Sequence, residues 1–287
     1  MNINFPLSHK SQEPENSVLY VVGTPIGNLN DISLRALNIL KNVSLIACED
    51  TRQTKKLMNR FEIQNKLISF NKENSSYRIP RIMDKLNLGE SIALVSDAGM
   101  PCICDPGVDL VKSVRSQKFD IICIPGPCAA LTALVSSGYS ASSFIFLGFL
   151  PKKKKLREEL LLKISQKEET TVLFESPHRL KKLLNELKIF CGGQREIQVF
   201  RELTKKYEEQ IGYNVDMVLD YFKEKEVIGE ITLVLKGIET LKNLEIDKNL
   251  LKKDLNELIE AGLSLTAASK YLAKKHNLKK NLIYNLY

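Results

Sequence analysis

The sequence predicts an α/β protein with two α/β domains, a ligand cleft between them and a small helical extension. Short aliphatic and β-branched runs alternate with segments of helical periodicity through most of the 287 residues. Loops rich in glycine and proline follow several of these runs, and residues 248–287 contain helical patterns alone. At roughly 150 residues per domain, the length also suggests about two domains.

The composition is that of a globular protein with a basic surface. Lysine and arginine number 42 against 34 aspartate and glutamate, which gives a formal charge of +8. Hydrophobic residues make up 44% and charged residues 26%, which excludes a mostly disordered chain. The longest apolar run, at 144–150, falls far short of the ~18 residues that a membrane span requires. Residues 1–17 lack the apolar core of an export signal, so we expect a disordered N-terminal segment on a cytoplasmic protein without a membrane partner.

Cysteine and histidine do not form a metal-binding pattern. The six cysteines contain no Cys-x-x-Cys pair, and the three histidines are far apart in the sequence. The pair Cys102 and Cys104 is too small a fragment to hold a metal without further ligands. We therefore expect no metal, and we expect most of the six to be reduced thiols buried as small hydrophobic side chains.

Positive charge is concentrated in two places. Residues 152–155 are four consecutive lysines, with Arg157 close behind. Residues 248–287 contain eight lysines and three acidic residues, a net +5. Such surfaces attract polyanions, most commonly RNA or DNA, although solvated helix faces would give the same composition.

The order of apolar runs predicts two consecutive series of strands and helices. In the first series strands are expected at 18–22, 44–48, 67–70, 92–95 and 120–124, with helices at 32–41, 75–88 and 108–117. The uniformly apolar strands are typical of a largely parallel sheet buried on both faces. In the second series helices are expected at 155–166, 177–190 and 215–223, with strands at 170–174, 197–201 and 230–236. The proline and lysines after residue 148 are typical of an inter-domain boundary, and 238–247 is expected to be a linker.

The C-terminal forty residues predict three short helices. Segments 251–260 and 266–275 are followed by a third helix running to residue 287. A small shared core is expected from seven residues: Ala267, Ala268, Tyr271, Leu272, Leu278, Leu282 and Ile283. The layout is like a helix-turn-helix, and a plain helical cap on the second domain explains it equally well.

Three loops after predicted strands carry the candidate chemistry. They are residues 23–29, 96–107 and 125–130, all rich in glycine and proline. In α/β folds, ligands bind beyond the carboxyl ends of the strands, so these loops predict a cofactor cleft. Asp97 at a strand end would face a cation or a ribose, or would cap a helix, and Asp105 is expected to cap the helix after Gly107.

Six motifs in these segments resemble one family. They are VVGTPIGNL at 21–29, EDTR at 49–52, SDAG at 96–99, PGP at 125–127, FESPHRL at 174–180 and RELTK at 201–205. In this order they resemble the bacterial 16S ribosomal RNA (cytidine-2′-O)-methyltransferases of the tetrapyrrole-methylase superfamily, from about residue 18 to 287. The resemblance implies domains at 18–124 and 125–237, a helical extension at 248–287 and a homodimer.

The resemblance also implies S-adenosylmethionine as cofactor, in the cleft between the two domains. The reaction would transfer its methyl group to the ribose 2′-oxygen of a cytidine in the 16S rRNA decoding centre, on free rRNA or on the small ribosomal subunit. The cofactor-binding residues implied by superfamily analogy are Pro25, Ser96, Asp97, Ala98, Gly99, Pro127, Ala129, Ala130 and Glu175. Met100 and Cys104 depart from the family pattern, which usually has threonine and often asparagine at these positions.

Methyl transfer to a hydroxyl calls for a general base and for RNA contacts. The acidic residues of the motifs are the catalytic candidates: Glu49, Asp50, Glu175 and Glu202. Helix capping is the competing role for Asp50, and ion pairing with Arg201 or Lys205 the competing role for Glu202. The RNA-binding candidates are Arg52, Lys152, Lys153, Lys154, His178, Arg179, Arg201 and Lys205. Internal salt bridges for Arg52 and Arg179, and a plain surface position for His178, are the alternatives.

Two other functions fit the same sequence less well. A small-molecule C-methylase of tetrapyrrole synthesis would share the superfamily fold but has no need of a basic surface. A nucleic-acid-binding regulator could use the helix-turn-helix-like tail with the α/β body as a sensor. Consumption of the methyl donor separates such a regulator from both enzymes.

Overall fold

The computed structural model describes residues 14–238, 248–275 and 280–287. The chain divides into two compact units, one ending at Lys236 and the other beginning at Gly237. Residues 1–13 of the expected disordered segment, and most of the expected linker, lie outside the described residues. At the described end of the N-terminal segment, Glu15 donates its backbone N–H to the Tyr20 hydroxyl, and the Ser17 hydroxyl donates to the Leu86 carbonyl.

The first sheet is entirely parallel, as the apolar runs predicted. Its strands are β1 (Val18–Val22), β2 (Leu45–Cys48), β3 (Leu67–Ser69), β4 (Ile92–Val95) and β5 (Asp120–Ile124), in the order β3-β2-β4-β1-β5. Its helices are α1 (Leu34–Asn42), α2 (Thr51–Arg60), α3 (Ser75–Asn87) and α4 (Val108–Ser116). Helix α2 was not predicted, because its apolar positions are few.

Burial in this sheet follows strand position. Every residue of β1, β2 and β4 is buried, since helices cover both faces of the sheet centre. Strand β5 lies at the sheet edge and exposes Asp120 and Cys123. The predicted burial of most cysteines is wrong, because only Cys48 is buried among the six.

The second sheet is mixed. Its strands are β6 (Phe144–Phe149), β7 (Thr170–Glu175), β8 (Glu196–Arg201), β9 (Glu209–Asn214) and β10 (Ile231–Leu235), in the order β6-β7-β10-β8-β9. Only β6 and β7 pair in parallel. Strands β6 and β9 were not predicted. Since β6 belongs to this sheet, the proline and lysines after residue 148 do not separate the two sheets.

Four helices belong with the second sheet. They are α5 (Ala129–Ser137), α6 (Lys154–Ser165), α7 (Pro177–Cys191) and α8 (Val215–Phe222). Helix α7 buries Leu180, Leu183, Leu184 and Leu187 as one stripe at helical spacing. Helix α5 packs against β10 and β7, so the glycine- and proline-rich segment before it connects the first sheet to the second.

The second unit is a small group of helices. Helices α9 (Lys248–Glu260), α10 (Leu265–Lys275) and α11 (Lys280–Tyr284) share a core that includes Leu251, Leu255, Ala268, Leu272 and Ile283. Three of the predicted core residues are instead exposed on the surface: Ala267, Tyr271 and Leu282. The third helix ends at Tyr284 rather than at the chain end, and Leu278 lies outside the described residues. None of the helices described is both long enough and apolar enough to cross a membrane.

Candidate active site

A cavity of about 490 Å³ opens beyond the strand ends of both sheets. The first sheet supplies loop residues after β1, β2, β4 and β5, and the second supplies the ends of β6 and β7 and the start of β10. Its lining residues include Ile26, Glu49, Asp97, Ala98, Gly99, Met100, Ile103, Cys104, Asp105, Ala129, Phe149, Phe174, Glu175, Leu203 and Gly229–Thr232. This is the size and place at which α/β folds bind a small cofactor.

The loops after β1 and β4 are joined directly at the cavity. Thr24 and Gly99 exchange two backbone hydrogen bonds, of 2.9 and 3.0 Å. Gly99 has φ +77°, a conformation that side chains with a Cβ rarely adopt. A Cβ on Gly23 would lie 2.6 Å from the Met100 sulfur and 2.8 Å from the Gly126 Cα, so close approach requires glycine there. Met100 therefore fills space between two loops as well as lining the cavity.

Three carboxylates lie at the same end of the cavity. Burial raises the pKa of Glu49, and the negative charges of Asp105 and Asp97 raise it further. Burial likewise raises the pKa of Asp97 and of Asp105. The expected capping role of Asp105 is wrong: Gly107 occupies the N-cap of α4, and no side-chain cap is made there. Asp105 instead bonds to Ser96 and lines the cavity, a role that sequence reasoning missed.

Asp50 occupies a structural position beside these carboxylates. Its side chain caps α2 by accepting from the Arg52 N–H at 2.8 Å, which confirms the competing role considered for it. The Arg52 guanidinium also bonds to it at 2.6 Å, and these contacts lower the pKa of Asp50 to about 2. The Arg52 side chain remains 86% exposed. A carboxylate so well stabilised in its charged form is a poor general base.

Glu175 is the centre of a buried ion-pair cluster. Its carboxylate lies 3.5 Å from Arg157 and 3.2 Å from Arg179, and it accepts the Ser176 N–H at 2.9 Å. Arg157 also bonds to Glu186 at 2.7 Å, so it is not part of the exposed basic block that the sequence suggested. The Arg179 salt bridge considered as an alternative is confirmed. The Glu175 carboxylate is thus ion-paired with two arginines, and the residue also borders the cavity.

The charged side chains of the motif at 201–205 also form ion pairs within the protein. Lys205 bonds to Glu202 at 2.8 Å and to Glu230 at 3.1 Å, which confirms the ion-pair alternative for Glu202. Against the effect of burial, hydrogen bonds from Lys205 and from the Glu230 N–H lower the pKa of Glu202. Arg201 pairs with Glu209 at 2.8 Å. By contrast, Lys152, Lys153, Lys154 and His178 are exposed on the surface, with only Lys154 near an acidic partner, Glu158 at 3.8 Å.

Some of the residues expected to bind the cofactor line the cavity and others do not. Five of them line the cavity: Asp97, Ala98, Gly99, Ala129 and Glu175. Four are not among its lining residues: Pro25, Ser96, Pro127 and Ala130. Ser96 and Ala130 are buried behind it. The aromatic wall of Phe149 and Phe174 was missed, although a phenylalanine at each strand end was a usable sign. Among the described residues, no group of three or more histidine, cysteine, aspartate or glutamate side chains is arranged to hold a metal ion.

Comparison with known proteins agrees with this architecture. The model of the Tetrapyrrole (Corrin/Porphyrin) Methylases matches residues 18–216. Over 279 residues, 96% of each chain, the sequence is 40% identical to a ribosomal RNA small subunit methyltransferase I from Halalkalibacterium halodurans. The chain belongs to the tetrapyrrole methylase family and, within it, to the group whose curated members are named ribosomal RNA small subunit methyltransferase I.

Solved structures with little sequence identity share the fold. A cobalt precorrin-4 methyltransferase of cobalamin synthesis gives a TM-score of 0.60 at 15% identity, over 77% of this chain and 95% of the other. A uroporphyrin-III C-methyl transferase from Thermus thermophilus, solved with S-adenosyl homocysteine, gives 0.55 at 14% identity, over 76% and 96%. Both support the fold class predicted from the sequence.

Proposed function

We propose that this enzyme transfers a methyl group from S-adenosylmethionine to RNA of the small ribosomal subunit. The observation that carries the proposal is the cavity between the two sheets, which combines an apolar wall with three carboxylates. The relatives' names point to ribosomal RNA as substrate. From the motif resemblance we propose a finer assignment, the ribose 2′-oxygen of a cytidine in the decoding centre, which makes a cytoplasmic location the natural one.

The residues present suit a sulfonium donor. Met100, Ile103 and Phe149 give an apolar surface for the uncharged parts of the molecule. Asp97 and Asp105 supply negative charge near one end of the cavity, which favours a cation. The backbone of residues 97–99 borders the cavity, where its two hydrogen bonds to Thr24 hold it in place. When bound, the donor would supply an electrophilic methyl group.

The protein's part in the reaction is alignment and proton removal. Holding the two reactants in line can lower the activation barrier by ~7–11 kcal/mol. A positioned general base increases the rate by roughly a further 10²–10⁴-fold. Of the four acidic candidates, Glu49 fits the base best, because it lines the cavity and burial raises its pKa. Asp50, Glu175 and Glu202 are each held in cap or ion-pair contacts. We therefore propose Glu49 as the general base.

RNA contacts are proposed on exposed cations. Lys152 and Lys153 lie beyond the end of β6, whose last residue, Phe149, lines the cavity. In the second unit, α10 exposes Lys270, Lys274 and Lys275 together with Tyr271. Lysines beside an exposed aromatic ring suit an RNA whose phosphates and splayed bases are both accessible.

Two further proposals complete the assignment. We propose that 18–124 and 125–237 act as separate domains, supported by the membership of β1–β5 and β6–β10 in different sheets. We also propose a homodimer, supported by α5, which has no charged residue and leaves Leu131 49% and Val135 76% exposed. Analytical ultracentrifugation of wild type and Val135→Lys tests the dimer. We expect the wild type to sediment as a dimer and the variant as a monomer; a wild type that sediments as a monomer would count against the proposal.

The deciding experiment uses labelled methyl donor and small subunits that lack the modification. We expect label in ribosomal RNA, and mapping should place it on one cytidine ribose. Label only in a porphyrinoid extract would move the assignment to a small-molecule C-methylase. Binding to nucleic acid without donor consumption would instead favour a regulator.

A further inference from the structure

The connection between β8 and β9 reaches across the cavity edge to the first sheet. The Asn28 backbone N–H donates to the Thr204 hydroxyl oxygen at 3.0 Å, over a sequence separation of 176 residues. Directly beside this bond, Ile26 packs in one buried cluster with Leu203. Both Ile26 and Leu203 line the cavity. The loop after β1 is thus held by residues of the second sheet.

The Lys205 side chain packs against the loop after β1 at Gly27. A Cβ on Gly27 would meet the Lys205 Cγ at 2.4 Å and the Thr204 Oγ1 at 2.8 Å. Any side chain at this position would displace the lysine stem or the threonine. The close fit means that residues 204 and 205 pack directly against the backbone of the loop after β1.

The charged end of Lys205 is anchored by two carboxylates. Its Nζ bonds to Glu202 at 2.8 Å and to Glu230 at 3.1 Å, and Glu202 also accepts the Glu230 N–H at 2.9 Å. Gly229, with φ +94°, lies beneath the Glu202 side chain, which a Cβ would meet at 2.5 Å. Gly229 and Glu230 line the cavity. Two of the three ammonium donors of Lys205 are therefore used inside the protein.

The backbone of this segment is held in an uncommon conformation. Glu202 has φ 55° and Thr204 has φ 65°, both in the left-handed region. Non-glycine residues stay there only where the surrounding contacts over-determine them, and such residues cluster at ligand sites. Here the contacts are those of Glu202 with Glu230 and of Thr204 with Asn28.

We propose that Thr204 and Lys205 are positioning residues that fix the edge of the donor cavity, rather than contacts for RNA phosphate. This inference rests on the proposed function only in naming the donor as the ligand. By fixing Ile26 and Gly229 at their places in the cavity lining, the pair pre-organises the cavity before the ligand enters. Loosening it weakens donor binding and leaves the chemical step, once the donor is bound, unchanged.

The test compares full-length Thr204→Val, Lys205→Met and Lys205→Arg with wild type. The matched control is Lys206→Met, at an exposed neighbour whose ammonium lies over the Tyr207 ring. Calorimetry without RNA should give a donor Kd raised about three- to tenfold in Thr204→Val and Lys205→Met, the range expected for one lost hydrogen bond. Lys205→Arg should restore most of the affinity, and kcat at saturating donor should stay within about twofold of wild type.

Two further measurements separate the alternatives. If Lys205 contacts RNA, Lys205→Met will leave donor Kd unchanged and reduce the slope of log RNA affinity against log salt by about 1, and the proposal fails. Amide exchange at Asn28 needs no ligand: we expect faster exchange in Thr204→Val than in wild type, and equal rates would overturn the inference. If wild type itself binds no donor, the proposed function fails, while the Asn28 result still decides whether the contact holds the loop.

Discussion

The Asp97 carboxylate accepts the backbone N–H of Asp50 at 2.9 Å, which ties the loop after β4 to the loop after β2. In return, the Glu49 carboxylate accepts a hydrogen bond from the Asp97 backbone N–H. The two bonds place Glu49 and Asp97 side by side at the cavity. Burial raises the pKa of both; the charges of Asp105 and Asp97 raise it further at Glu49, and the charge of Asp50 raises it further at Asp97.

This arrangement predicts that Glu49→Gln lowers kcat by roughly 10²–10⁴-fold while donor affinity changes little. The base must be deprotonated, and the pKa of Glu49 is raised above 4.5, so wild-type kcat/KM should rise with pH through a midpoint above that value. Steady-state rates across pH check both points. Glu168→Gln, at an exposed surface position, is the control. A full rate in Glu49→Gln would remove Glu49 from the mechanism.

Cys104 offers a direct probe of the cavity. It lines the cavity, whereas Cys123 lies exposed on edge strand β5, and burial raises the pKa of both thiols. We expect saturating S-adenosylmethionine to slow iodoacetamide labelling of Cys104 at about pH 9 and to leave Cys123 unaffected. Peptide mass spectrometry measures the two sites separately. Equal labelling of Cys104 with and without the donor would place the ligand elsewhere.

The ion-pair cluster predicts a large stability effect at Glu175. Its side chain has no exposed surface, and Arg157 beside it is 5% exposed. Glu175→Gln removes one charge from a buried pair and should lower the free energy of unfolding by roughly 3–5 kcal/mol. Urea unfolding followed by circular dichroism measures it. The control Glu158→Gln breaks an exposed pair with Lys154 and should cost about 1 kcal/mol or less; similar losses in both would contradict the role of burial.

The lysines of α10 predict the salt dependence of RNA binding. Lys270 and Lys274 are one helical turn apart and both exposed. If both contact phosphates, the double alanine variant should reduce the slope of log affinity against log salt by about 1.4–1.8. Filter binding at several salt concentrations checks this, with Lys41→Ala/Lys112→Ala on the first unit as the matched control. An unchanged slope would assign the tail to structure.

Local patterns in the sequence were enough to predict much of the fold. The uniformly apolar runs at β1, β2 and β4 predicted strands buried on both faces, because only a covered parallel sheet hides both sides of a strand. Strand β9 was missed: its residues Gln210, Gly212 and Tyr213 face solvent, so no apolar run marks it. Strand β6 was noted only as an apolar segment, since nothing local indicates that it pairs with β7.

The sequence predicted which loops form the candidate site, but not what each residue does there. The motifs identified Glu49, Asp97 and Gly99, all of which line the cavity. They could not distinguish Glu49 from Glu175, because the difference lies in the burial of Glu175 and in Arg157, which meets Glu175 only in the folded chain. Asp105 was assigned to a helix cap because capping patterns are local, whereas its place beside Glu49 and Asp97 is not.

The sequence by itself determined the fold class, the parallel first sheet, the loops that form the cavity and the family. Those properties depend on periodicity, glycine and proline placement, and motif order, all of which are written along the chain. Only the tertiary structure decided which charges are used internally: Glu175 with its arginines, and Lys205 with Glu202 and Glu230. Electrostatic roles depend on distance and burial, and folding sets both by burying these side chains and by bringing together residues that are remote in sequence, such as Glu175 with Arg157 and Lys205 with Glu230.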